Sequence, residues 1–210
     1  MANLNDQKVN TSLAIDDQNA NITWTGIVDL RNPNISVAGK TKVDFVNLKS
    51  LGLTDENIEV KGNFDINELI VDPKNPKIDL SGSNVRIYRN DQLFPLGDLR
   101  IFTLNSEQSK ALYFNTDFMR LNLTGNFEYD QLSDIILTEI NKYFKIPDYK
   151  PLESQRNYSF NFNGKINYDP VFTAFFPGLK AFEPITAVTK ISSENPLLPI
   201  SGSISLPSLK

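Results

Sequence analysis

Along most of this chain apolar residues occupy every second position, and in seven places a glycine keeps step with them. The clearest case is Leu121, Leu123, Gly125, Phe127 and Tyr129, with Asn122, Thr124, Asn126 and Glu128 between. Side chains on a strand alternate faces, so this spacing predicts a half-buried strand with a gap in its apolar face. The pattern recurs as Ile22, Trp24, Gly26, Val28, Leu30, then as Ile35, Val37, Gly39, Thr41, Val43, and as Ile58, Val60, Gly62, Phe64, Ile66. Ile78, Leu80, Gly82 begins a copy and breaks off. Phe160, Phe162, Gly164, Ile166, Tyr168 and Leu198, Ile200, Gly202, Ile204, Leu206 complete the series.

A glycine inside a strand costs roughly 0.5–1 kcal/mol relative to alanine, so its recurrence needs a geometric reason. Two are open. The glycines mark bulges or corners in an ordinary sandwich or barrel, or they leave clearance for an apolar guest in a curled sheet.

The segments between strands are short. Arg31 to Asn34 cannot carry a parallel crossover, which needs a dozen residues or more, so its flanking strands are antiparallel neighbours. Leu48 to Leu53 reads as a helical turn or capped loop, and Asp72 to Pro76 as a rigid turn. At Asn84 the apolar phase shifts from Leu80 to Val85 and Ile87, which predicts a bulge. Helical spacing appears near residues 130–144, through Leu132, Ile135, Ile136, Ile140, Tyr143 and Phe144 behind Asp130 as N-cap. A second, shorter helix is expected near 169–176, opened by Asp169 and Pro170 and ended by Pro177 and Gly178. Strand and helix thus recur as a unit, at Gly125 and again at Gly164. The glycine spacings are too uneven for a solenoid. The expected fold is mainly β, a single elongated unit over 1–210: a curled antiparallel sheet forming an apolar groove, capped by one or two short amphipathic helices.

Composition removes many functions. The net charge is -4 with no histidine and no cysteine among 210 residues. That disfavours nucleic acid as a partner and excludes thiolate chemistry, a disulfide framework and the commonest general base. The acid pairs Asp16–Asp17 and Asp55–Glu56 lie in turns and read as solvated rather than catalytic. Asp16 to Asn21 lacks the spacing of a calcium loop, and no glycine leads into a phosphate-binding Lys-Ser/Thr. No cofactor, metal or enzymatic activity is expected. The chain starts and stops close to strand pattern, which suggests a piece of a longer exported protein.

Two stretches carry a resemblance. Asn47 to Thr54 leading into Ile58 to Phe64, and Tyr168-Asp169-Pro170 with Phe176-Pro177-Gly178-Leu179, resemble the repeated segments of the TamB family of translocation and assembly module proteins, in its Bacteroidetes-type form. The resemblance implies an AsmA-like protein of the Gram-negative periplasm, its parent anchored in the inner membrane. It also implies a long curled sheet that carries phospholipid toward the outer membrane and supports outer-membrane protein assembly. Implied partners are phospholipid acyl chains, neighbouring segments of the parent chain and an outer-membrane barrel protein. The chain departs from the family in length and in having no anchor.

On that reading Trp24, Val28, Val37, Val60, Phe64, Leu80, Leu123, Phe127, Phe162 and Ile166 line a lipid groove. Gly26, Gly39, Gly62, Gly82, Gly125, Gly164 and Gly202 give it clearance. The rival reading is a structural or adhesive β-domain with an ordinary closed core that binds partners at its edges.

Overall fold

The computed structural model describes residues 2–5, 7–31, 34–141, 150, 157–175, 179, 181–194 and 200–205. Its strands are β1 (Ala2–Asn5), β2 (Lys8–Asp17), β3 (Ala20–Asp29), β4 (Ser36–Asn47), β5 (Ile58–Ile70) and β6 (Lys77–Arg89). They continue as β7 (Gln92–Asn105), β8 (Lys110–Thr116), β9 (Met119–Asn126), β10 (Ser159–Ile166), β11 (Ile185–Ser192) and β12 (Ile200–Ser205). All twelve form one sheet in chain order, and each pairs antiparallel with the strand before and after it. It is an open meander, as the short turns require.

The registers carry the alternation across the sheet. Leu13 of β2 faces Trp24, which faces Thr41, then Phe64, Gly82, Leu99 and Thr116. Further on, Leu112 faces Leu123, which faces Phe162 and then Thr189 and Gly202. Directly opposed residues share a face, so one side of the sheet collects most of the apolar positions and the other most of the charged and amide ones.

Register slips correct the phase where a strand would otherwise turn its apolar side out. Between Lys61 and Asn63, β5 advances two residues while β6 advances three, from Arg86 to Ser83. Asn84 takes up the extra residue at φ 53°, a left-handed conformation that asparagine tolerates. This is the bulge expected from the phase change, and it returns Val85 and Ile87 to the side of Val60.

Helices cover two regions of the apolar face. β9 runs into a 3-10 turn at Tyr129–Gln131 and then α1 (Leu132–Asn141), while β10 leads to α2 (Val171–Phe175). Because β9 and β10 are antiparallel neighbours, their helices leave from opposite ends of the sheet. Asp130 does not cap α1 as expected: it sits inside the 3-10 turn, whose N-cap position is Glu128, with no side-chain capping bond. Asp169 does act in the expected way, its Oδ1 accepting the Val171 N–H at 2.8 Å. Residues 142–144 and 176–178, and most of the connector after α1, lie outside the described residues, as do Leu198 and Leu206.

Under α1, Ile135 and Leu132 meet Leu123, Phe127, Tyr158 and Phe160 in one closed core. Under α2, Val171 and Phe172 meet Ile58, Ile87, Phe94 and Phe118 in another. Between β2 and β4 there is no such lid: among the described residues these strands pack chiefly on neighbouring strands. Leu13 and Ile15 remain 54% and 38% exposed.

Candidate functional site

The uncovered apolar face of β2 to β4 is the region best suited to meet an apolar partner. Trp24 dominates it. Its indole lies across three strands, donating from Nε1 to Thr11 Oγ1 of β2 at 2.8 Å. It covers Gly26 of its own strand and reaches over Gly39 of β4. Gly26 and Gly39 face each other in the register, and a Cβ on either would fall 2.4–2.6 Å from the ring. Thr11 in turn donates to the Gly26 carbonyl at 3.2 Å, which fixes the side chain that fixes the ring. The glycines here seat an aromatic ring flat on the sheet. Val28 and Val37, directly opposed, continue the patch.

This changes what the glycines do. They were expected to leave room for a guest, but that room is filled by the protein's own side chains. Phe64 and Leu99 lie over Gly82, Val85 and Phe64 over Gly62, and Phe162 over Gly164. At Gly125 and Gly202 the neighbour is backbone instead. An added Cβ would meet Ser159 O at 2.4 Å and Val188 O at 2.1 Å, and both residues have φ near +145°, at 147° and 144°.

Trp24 anchors this patch energetically as well. Trp24→Ala should cost about 2 kcal/mol, since it bares the backbone of two strands and removes a half-buried indole. Thr11→Val, which removes only the bond that orients the ring, should cost about 1 kcal/mol. Urea titration of the two variants checks the ratio.

The ten expected lining residues do not stay together. Trp24, Val28 and Val37 lie on the uncovered region, and Phe64, Leu80 and Ile166 are half-buried. Val60 packs against the core under α2. Leu123 and Phe127 are buried under α1, with Phe162 packed against that core, so these three are structural. Phe127 is not on the strand at all, since β9 ends at Asn126 and the chain then turns toward the helix. Sequence alternation extends past the strand end and conceals that turn.

Three features were missed by sequence reasoning. The first is β11, whose Ile185, Ala187, Thr189 and Ile191 alternate but lack an in-phase glycine. The second is a buried polar contact under α1: Tyr158 donates to Glu139 Oε1 at 2.5 Å, with Glu139 1% exposed. Burial pushes the Tyr158 hydroxyl well above the usual phenol range, and the hydrogen bond to the Glu139 carboxylate adds to that. Tyr129, beside the same core, is raised by burial to about 12. Both therefore act as neutral donors, not as proton carriers.

The third is a cavity of about 710 Å³ on the hydrophilic face, lined by Lys40, Lys42, Asn63, Ser81, Ser83, Arg100 and Asn115 among others. No sequence signal marks it, because its residues read as ordinary solvent-facing positions. Electrostatics elsewhere on that face is local. Arg31, hydrogen-bonded to Asp29, holds that carboxyl down near 2, and Lys8 stands 3.9 Å away.

Among the described residues no three histidine, cysteine, aspartate or glutamate side chains are grouped to hold a metal, and no helix is long and apolar enough to cross a membrane. No protein-family model, no curated protein and no solved structure matches the chain.

Proposed function

We propose that the chain is a β-sheet segment of a TamB-like, AsmA-like periplasmic protein, and that its apolar face carries phospholipid acyl chains between inner and outer membrane. The parent would be anchored in the inner membrane and extended by neighbouring segments, with an outer-membrane barrel protein as a further partner in protein assembly. One observation supports this above the others: the registers gather the apolar positions of successive strands onto one side, and over β2 to β4 no described element covers them. A soluble monomer rarely leaves so continuous an apolar surface without a use.

The energetics suit transit rather than storage. One methylene leaving water gains about 0.8 kcal/mol, so a sixteen-carbon tail gains roughly 13 kcal/mol against water. Against a bilayer the exchange is close to neutral, and the Trp24 indole seated flat over Gly26 and Gly39 leaves no deep pocket to trap a chain. A lipid would slide along such a face.

The rival reading, a structural or adhesive β-domain, draws support from the same rings. Space vacated by glycine is occupied by Trp24, Phe64 and Phe162, and the cores under α1 and α2 are closed.

Trp24 is the only tryptophan, which makes the test direct. Phospholipid brominated along its acyl chains should quench Trp24 fluorescence, and native mass spectrometry of the gently purified protein should show bound phospholipid. Val28→Asp places a charge on the uncovered region and should abolish both signals while the circular dichroism spectrum is retained. Absent co-purifying lipid together with unquenched Trp24 would leave the rival reading standing.

A further inference from the structure

We infer that the cavity on the hydrophilic face is a binding trough for a neutral, linear, polyhydroxylated ligand, a glycan chain. Its floor is the backbone of Thr41, Phe64, Gly82, Leu99 and Thr116, a row whose side chains turn to the opposite, apolar face. One wall is the register row Lys40, Asp65, Ser81, Arg100 and Asn115. The other begins Lys42, Asn63, Ser83 and continues through Asp98 and Asp117. Crossing five strands at about 4.8 Å spacing gives a trough about 19 Å long.

The state of its charges selects the ligand. Each cation is already paired within the sheet: Lys40 with Asp65 at 3.6 Å, Lys42 with Asp44 at 2.8 Å, and Arg100 with Asp79 at 2.7 Å. An anionic ligand would have to displace these carboxylates. Asp98 and Asp117 form no ion pair among the described residues, and Asp117 folds its carboxylate over Gly97. These two are acceptors, and the amides and hydroxyls of Asn63, Ser81, Ser83 and Asn115 line the trough beside them.

Asn115 Oδ1 and, one strand on, Asn122 Oδ1 are buried without a hydrogen-bond partner. Rotating the Asn115 amide would turn that unmatched oxygen toward a ligand hydroxyl, giving a buried acceptor the partner it lacks. Hydroxyl-seeking acceptors along the trough match the O–H-rich rim of a pyranose. A linear chain of pyranoses advances about one strand spacing per sugar, so successive units would meet successive strands.

The test is an NMR titration of the isotope-labelled protein with cellohexaose and, separately, chitohexaose, with spermine as a cationic control. Saturable shifts confined to amides of β4 to β8 and unchanged by added salt are expected. Ser83→Trp, at an exposed wall position, should weaken binding at least about tenfold. The double variant Asp98→Asn, Asp117→Asn should weaken it by a similar factor and carries the test if Ser83→Trp disturbs the fold. Thr186→Ala, on the same face but outside the trough, should leave it unchanged. No saturable shift with either oligosaccharide, shifts scattered over the sheet, or binding by spermine alone that is lost at high salt would overturn the assignment.

Discussion

Gly125→Ala is expected to destabilise the protein by about 2–6 kcal/mol. Two effects add. At φ 147° a side chain is strained by about 1–3 kcal/mol, and the new Cβ would sit 2.4 Å from Ser159 O and 2.6 Å from Phe160 Cα. Those atoms are backbone of the paired strand β10, so they yield only if the ladder opens, at a further cost of about 1–3 kcal/mol. Gly52→Ala is the control: its φ is 72°, but nothing lies within 4 Å of the added carbon, so about 1–2 kcal/mol is expected. Urea unfolding of both variants separates strain from collision. Equal costs would mean that β9 and β10 do not approach as closely at Gly125 as described.

Phe127→Ala should be of similar size, about 3–5 kcal/mol, because its ring is 1% exposed and packs edge-on against Phe160 at 5.6 Å and Tyr129 at 5.1 Å. The cavity would open under α1, the lid formed by Leu132 and Ile135. Amide exchange should accordingly quicken through α1 before it quickens in β2 to β5. Leu13→Ala, at 54% exposure on the uncovered region, should cost less than about 1 kcal/mol. Similar losses at positions 127 and 13 would refute the division into a capped and an uncapped part of the sheet.

The strands were legible because the pleat imposes a period of two that no other element shares. The Asn84 bulge could even be read from the shift between Leu80 and Val85, since burial forces the register to recover its phase. Helix starts were harder. Asp130 has the chemistry of a cap, yet the chain enters α1 through a tight turn that depends on Tyr129 finding the Ala111 carbonyl and Asn105, both distant in sequence. The candidate lining was legible as a face but not as a surface. Trp24 and Phe127 have the same pattern around them, and only the path of α1 decides that one is open and the other sealed. The seating of rings on glycines was likewise invisible, because it depends on which strand lies opposite, as with Gly26 against Gly39.

Each strand hydrogen-bonds only to those that precede and follow it in the chain. Cohesion is then approximately a sum of links between adjacent strands, as in repeat proteins. Such a molecule can lengthen or shorten by whole hairpins during evolution without redesign of a distant partner. It can also fray from one margin while the remainder stays folded, so its melting need not be all-or-none.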